Sequence, residues 1–338
     1  MVPALAVADA LRAEGAEVTF IGSGRAEAQL VPAANLPLYT ISVEGLSRSH
    51  PLRALRALAL ALAAAARARS LLTELAPDAV MGAGGYVSGP VGLAALTRRI
   101  PLVLTEADSH LGLTNRLLAP FARRVCLAFP LPGRDGARYR VTGRPVTLPP
   151  QDRLAARRRF GISPEELCVL VFGGSLGARS INLAAIEGLA GAPFRVIHVC
   201  GSRDYAELAA RELPAGYDLY EYLDLADFLQ ALTACDLAVA RAGGSVFEIA
   251  ASGRPAILVP YPHASGDHQG ANARWFSQAG AALTIPDDEL TAARLGGEVA
   301  ALLADRARMT AMAAAATSVA RPEAARGVAR ELLEAARR

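Results

Sequence analysis

Three times along the chain a short apolar run breaks into a cluster of glycines and then gives way to a helix-like stretch. The strings are "AVMGAGGYVSGP" from Ala79, "CVLVFGGSLGARSIN" from Cys168 and "LAVARAGGSVFEIAASG" from Leu237. A buried run with no polar alternation, followed at once by a tight turn and a helix, is what one strand of a doubly wound parallel sheet looks like in sequence. In such a sheet the loops after the strands form the ligand crevice, so these turns are also where chemistry is expected.

Read onward, the pattern predicts two series of six strands. The first has strands near Val18–Ile21, Leu38–Ser42, Ala79–Gly82, Pro101–Thr105, Arg124–Ala128 and Tyr139–Thr142, preceded by a helix over Ala4–Leu11. The second has strands near Cys168–Phe172, Arg195–Cys200, Leu219–Tyr222, Leu237–Ala240, Ala256–Val259 and Ala282–Ile285, with a helical tail from Thr291. The stretch from Gly143 to Leu167 is dense in Pro and Arg and interrupts the alternation, which makes Gly143 to Pro150 the boundary candidate. At 338 residues the chain exceeds one ordinary core, so two α/β domains follow. The expected division is 1–147, 148–315, and a final helix over 316–338 that packs back on the first domain.

Charge divides along the same line. All 35 basic residues are Arg; residues 1–150 hold 16 Arg against 10 acids, a net +6, and residues 151–338 a net −3. The first half therefore leans toward an anionic partner. Four scattered cysteines, Cys126, Cys168, Cys200 and Cys235, form no CxxC motif or Cys/His cluster, which points away from a disulfide framework or zinc site. The longest strongly apolar run, "ALALALAAAA" between Arg56 and Arg67, has ten residues, about half of what crosses a bilayer. The helix around it, with Arg53, Arg56, Arg67 and Arg69 at its ends, reads either as a crossover helix or as an interfacial helix for anionic lipid.

Each motif has a plain reading and a functional one. Gly173, Gly174, Ser175 and Gly177 either make a tight turn or bring backbone N–H groups and a helix N-terminus to phosphate oxygens. Glu248, after Arg241, Gly243, Gly244 and Ser245, either complements a helix dipole or accepts from ribose hydroxyls. In "PYPHASGDHQGAN", His263, Asp267 and His268 match no common metal spacing, and two of them suit a helix cap. Gln269 and Asn272, one turn apart, suit hydrogen bonds to a sugar. Gly82, Gly84, Gly85 and Tyr86 form either a compact turn or a surface for close ligand approach. Glu106, Asp108 and His110 stand at the mouth of the same sheet as candidate bases or as solvated loop charges. No GxGxxG follows the first strand of either half, which argues against a nicotinamide oxidoreductase.

The strings "GGYVSGP", "GLTNRLLAPFA", "GGSLGARSIN", "RAGGSVFEIAASGRPAILVPYP" and "DHQGANA", in this order, resemble the MurG family of peptidoglycan glycosyltransferases. The resemblance runs from Pro3 to the final helix. It implies a GT-B fold, two Rossmann-like doubly wound parallel-sheet domains facing a cleft. The implied activity is inverting transfer of N-acetylglucosamine from its UDP donor to lipid I, giving lipid II. A transferase acting on a different glycolipid or polyprenyl acceptor, or a donor-binding relative without turnover, is the alternative; the acceptor-half strings do not resemble a UDP-sugar epimerase.

Carried over residue by residue, the resemblance places Gly173, Gly174, Ser175 and Gly177 on the diphosphate and Leu223 beside uracil. Gly243, Gly244, Ser245, Val246, Phe247 and Glu248 form the ribose and phosphate loop, and Gln269 and Asn272 hold the sugar. Gly84, Gly85, Tyr86, Ser88, Asp108, Asn115 and Arg144 fall on the acceptor side. No cofactor and no DxD-bound metal is implied. The implied partners are UDP-N-acetylglucosamine, a lipid-linked acceptor and an anionic membrane surface, with no nucleic acid, at the cytoplasmic face of the cell membrane.

This chain departs from the family's pattern in four places. "TEAD" replaces His-Glu-Gln-Asn, so Thr105, Ala107 and Asp108 are changed, and Asp108 becomes a candidate base. "GRPVT" replaces "GNPVR", leaving Arg144 as a substitute for the Arg lost at Thr147, and the "RAGGSVFE" loop is one residue shorter. The family's first helix is preceded by a strand and a Gly-Gly-Thr-x-Gly-His loop with a candidate base His; the expectation is that such a segment lies upstream of Met1 in the gene.

Overall fold

The computed structural model describes residues 1–24, 27–43, 51–174 and 176–337. It divides into two compact units, Met1–Thr147 together with Arg321–Arg338, and Leu148–Ala320.

The second unit is a single sheet of six parallel strands: β7 (Cys168–Phe172), β8 (Arg195–Val199), β9 (Tyr217–Tyr220), β10 (Leu237–Ala240), β11 (Ala256–Leu258) and β12 (Ala282–Thr284), in the order β12-β11-β10-β7-β8-β9. All five residues of β7 are buried, and their alternation sorts them onto two faces. Cys168, Leu170 and Phe172 join one core with Leu232 and Phe276, and Val169 and Val171 join another with Ile181, Leu189 and Leu295. A strand covered by helices on both faces has no solvent side to mark with polar residues, which is why "CVLVF" carries none. The chain runs outward in one direction from β7 and in the other from β10, so the sheet's switch point lies between these two strands, at the glycine turns that follow them.

The first unit holds β1 (Phe20–Gly22) paired in parallel with β2 (Leu38–Thr40), and a separate parallel set β3 (Val80–Gly82), β4 (Leu102–Glu106), β5 (Arg124–Leu127) and β6 (Tyr139–Val141). The helix Ala324–Ala336 completes it: Val328, Leu332 and Ala335 pack with Val7, Val103 and Cys126. Arg124 Nε donates to Glu331 of that helix at 2.8 Å, and Arg140 pairs with the same carboxylate at 3.4 Å.

Two expectations are corrected. The chain leaves the second unit at Ala320 and not at 315, because Ala316 lies inside the helix Arg306–Val319 and is fully buried in that unit's core. The third strand of the second series is Tyr217–Tyr220, two residues earlier than Leu219–Tyr222. Gly216 (φ +90°) turns the chain directly into it, and Tyr217 pairs with Val196.

Candidate functional site

The turn after β7 is shaped by contact with the neighbouring strand's end. Gly177 has φ +77°, and a Cβ there would overlap the Cys200 carbonyl oxygen; one on Gly201 would overlap the Gly177 amide. Only glycine fits two backbones this close at a positive φ. Gly174 is exposed at φ +94° and Gly173 half-buried, while Ser175 lies outside the described residues.

The helix that follows, Arg179–Leu189, is fixed to β8 and β9 by a buried polar chain. Asn182 Nδ2 donates to the Cys200 carbonyl at 2.9 Å and to Asp204 Oδ2 at 2.8 Å, and Asn182 Oδ1 lies 3.1 Å from His198 Nε2. An amide oxygen accepts, so Nε2 carries the proton and Nδ1 accepts from the Tyr217 hydroxyl at 2.8 Å. Burial pushes the His198 pKa down to about 4, which keeps the ring neutral. Arg179 closes the chain on Asp204 at 3.0 Å. The helix therefore presents its N-terminal N–H groups, with no side-chain cap from Ala178, from a fixed position, the arrangement that stabilises a phosphate.

The turn after β10 is built differently. Gly243, Gly244 and Ser245 are half-buried, and Glu248 sits in the first turn of the helix Val246–Ala251. Val246 and Phe247 are buried, Phe247 stacking on Trp275 with ring centroids 5.3 Å apart. Those two side chains therefore pack, and the loop offers a ligand its backbone. Asn272 is buried, with Nδ2 donating to Ala242 O at 2.9 Å and to Gly243 O at 3.4 Å, so its amide nitrogen shapes this loop. Gln269 Oε1 accepts from Tyr261 N at 2.9 Å. Leu223 is buried within the core that contains Phe172.

In the first unit the loop after β4 is wound around one carboxylate. Glu106 is buried, and its Oε1 accepts from Ala107 N at 3.0 Å and Asp108 N at 3.2 Å. Its Oε2 accepts from Gly112 N at 2.8 Å and Asn115 Nδ2 at 2.9 Å. Asn115, also buried, donates to Thr105 O at 2.9 Å as well. Glu106 is thereby engaged as a loop organiser, and the half-buried Asp108 is held by its backbone; among the described residues no hydrogen bond reaches its carboxylate. His110 is exposed.

Gly84 and Gly85, both at positive φ, lead into the helix Gly85–Thr97. Ser88 is buried there, donating to Gly84 O at 2.6 Å, and Tyr86 is exposed. A cavity of about 240 Å³ opens at the ends of these strands, lined by Gly84, Thr105, Glu106 and Arg144 together with Cys126 and Thr142. The last two were not singled out as site residues in the sequence, because a strand-end Cys or Thr has no motif around it.

Exposed apolar residues gather where the sequence did not mark them. Leu113, Leu117 and Phe121, four residues apart, are 46%, 63% and 69% exposed beside the exposed Arg116 and Arg123. The helix Pro51–Leu75, read as a candidate interfacial helix, buries Ala64, Ala68, Leu71 and Leu72 in the core, and Arg69 donates to Thr97 Oγ1 at 2.9 Å. The side chains of Arg53 and Arg56 lie outside the described residues. Among the described residues no helix is long and apolar enough to cross a membrane. No three His, Cys, Asp or Glu side chains gather there as a metal site.

Residues 1–127 match the glycosyltransferase family 28 N-terminal domain and residues 168–328 its C-terminal domain. Two relatives are named UDP-N-acetylglucosamine--N-acetylmuramyl-(pentapeptide) pyrophosphoryl-undecaprenol N-acetylglucosamine transferase. The one from Moorella thermoacetica is 41% identical over 98% of this chain and 95% of its own length. The one from Rubrobacter xylanophilus is 42% identical over 98% and 99%. Among solved structures, Acinetobacter baumannii MurG superposes with a TM-score of 0.77 at 32% identity, covering 98% of this chain and 95% of that one.

Proposed function

The chain belongs to glycosyltransferase family 28 and has its GT-B fold, and from that premise we propose that it transfers N-acetylglucosamine from UDP-N-acetylglucosamine to the undecaprenyl-pyrophosphoryl-linked muramyl pentapeptide, lipid I, giving lipid II of peptidoglycan. The observation that carries this reading is the pair of glycine turns after β7 and β10, side by side at the switch point of one parallel sheet, in a chain alike from end to end to relatives named for that transfer.

In this reading the donor's diphosphate lies against the N-terminus of the helix Arg179–Leu189 and the backbone of the turn after β7. Glu248, beside the turn after β10, accepts from the ribose hydroxyls. The acceptor hydroxyl attacks the anomeric carbon in a single displacement, the bond from that carbon to the β-phosphate oxygen breaks, and the configuration inverts. Negative charge that develops on departing UDP is stabilised by N–H groups already aimed at it. The proton of the acceptor hydroxyl passes to the carboxylate of Asp108, whose position is set by its backbone bond to Glu106. No cofactor enters this scheme.

We also infer that the enzyme works as a peripheral protein on the cytoplasmic face of the cell membrane. The stripe of Leu113, Leu117 and Phe121, with Arg116 and Arg123 beside it, has the apolar area and positive charge that suit an anionic lipid surface.

The test is a transfer assay with purified lipid I and labelled UDP-N-acetylglucosamine, run beside UDP-sugar binding. Lipid II is the expected product, and Asp108→Asn is expected to lower kcat about 100-fold with donor KM unchanged. Donor binding without any transfer overturns the transferase reading; full activity in Asp108→Asn removes Asp108 as the base.

A further inference from the structure

An arginine directly before two glycines at a strand end has the chemistry of a phosphate ligand, and Arg241 stands there, after β10. Its guanidinium is already engaged. Nη1 donates to Asp287 Oδ1 at 2.5 Å and to the Val259 carbonyl at 3.2 Å, and Nη2 donates to Ser180 Oγ at 2.9 Å. Ser180 Oγ donates in turn to the same Asp287 oxygen at 2.7 Å, and the guanidinium carbon lies 5.4 Å from the Tyr261 ring centroid. The Arg241 side chain is only 12% exposed. Its charge is matched by Asp287, which lowers its value as an anchor for an incoming phosphate.

The partners show what the contact does. Ser180 is the second residue of the helix Arg179–Leu189, whose N-terminus faces the turn after β7. Val259 directly follows β11, and Tyr261 lies in the loop after it, its N–H donating to Gln269 of the helix His268–Gln278. Asp287 opens the short 3₁₀ turn after β12. Arg241 itself heads the turn containing Gly243 and Gly244. One planar group thus joins four loops that emerge from the same edge of the sheet.

We propose that Arg241 is a positioning residue: it sets the loops after β7, β10, β11 and β12 in the relative register that a nucleoside diphosphate requires, without itself contacting the donor. The proposal rests on the reading that this unit binds a UDP-sugar. A guanidinium is suited to the role because its donors diverge in one plane toward three acceptors. A lysine ammonium carries the same charge at a single point and cannot span Asp287, Ser180 and the Val259 carbonyl together. Removing geometry while keeping charge therefore separates positioning from simple electrostatics.

The experiment titrates UDP and uridine separately into the full-length parent protein, Arg241→Lys and Asp287→Asn, with thermal unfolding of each. The loops that Arg241 joins include both phosphate-side turns. UDP binding is therefore expected to weaken about 10-fold in each variant, the equivalent of about 1.4 kcal/mol, and uridine binding less than about 3-fold. The double variant should be no weaker than the worse single one, because both changes break the same contact.

In the transfer assay the loss should appear in donor KM more than in kcat. Asp287→Asn keeps the shape of the site, so it answers the question even where Arg241→Lys folds poorly. Unchanged UDP affinity in both variants overturns the proposal, as does an equal loss for UDP and uridine, which is the mark of general destabilisation. If the parent binds no UDP, the donor reading itself fails, and the proposal falls with it.

Discussion

The turn after β7 and the loop after β4 both leave a buried parallel strand, yet their supports come from opposite directions. The β7 turn is held from outside: Gly177 lies against the Cys200 carbonyl, Asn182 bonds Cys200 and Asp204, and Ser180 bonds Arg241 and Asp287. The β4 loop is held from within: the Glu106 carboxylate collects three N–H groups of its own loop and the Asn115 amide just beyond. A loop tied to many distant elements has a shape that other parts of the unit impose, which suits one fixed small ligand. A loop wound on its own carboxylate can change sequence around that carboxylate without disturbing its neighbours.

The contrast can be broken most sharply at Gly177. Gly177→Ala combines backbone strain at φ +77° with overlap onto the Cys200 carbonyl. It should cost about 4 kcal/mol of stability, read from urea unfolding, and abolish measurable UDP binding. A variant as stable as the parent would mean that the turn is not set by its neighbours.

The second effect concerns pH. His198 in the folded chain has its pKa pushed down to about 4 from the usual 6.5. The unfolded chain therefore takes up a proton that the folded one refuses: the stabilisation is complete above about pH 6.5 and is lost as the pH falls toward 4. The full span is about 3 kcal/mol, from 1.36 kcal/mol per pKa unit. Urea midpoints of the parent and of His198→Gln, compared across this range, isolate the contribution; parallel curves would remove it.

The smallest effect on folding belongs to the other unit. Leu117→Gln, at an exposed position, should change stability by less than about 0.5 kcal/mol. Its partitioning onto anionic phospholipid vesicles should nevertheless fall about 10-fold, because a leucine's burial in the interface is lost. Unchanged vesicle binding would take the stripe out of the membrane-facing surface.

The twelve strands among the described residues were legible in the sequence: central ones such as β7 and β10, buried on both faces, are short continuous apolar runs, and the less buried β2, β6, β9 and β12 follow from the alternation of helices and strands around them. The glycine turns were legible for the same reason: a close backbone approach admits few other residues. The roles of particular polar side chains were not. Arg241 meets Ser180 across 61 residues and Asp287 across 46, and no local spacing reports such a meeting. Asn272 reads as a sugar ligand from its helical spacing with Gln269, whereas its amide nitrogen is fixed on Ala242 and Gly243. The apolar stripe was missed because Leu113, Leu117 and Phe121 repeat every four residues, a spacing that marks a buried face as readily as an exposed one.

The return of the chain to the first unit after Ala320 has a consequence for synthesis. Arg124 and Glu331 are separated by 207 residues, and Val103 and Cys126 share their cluster with Val328 and Leu332. On the ribosome, the whole of 148–320 emerges and can close its own core while the flank of β4 and β5 still awaits the helix Ala324–Ala336. Contacts this far apart in sequence form slowly and leave apolar surface open to aggregation until they do. The first unit, whose sheet is made before residue 148, is therefore closed only after residues 148–320 have been made, and a nascent chain halted before residue 328 would carry a completed second unit while the sheet of the first stays uncovered.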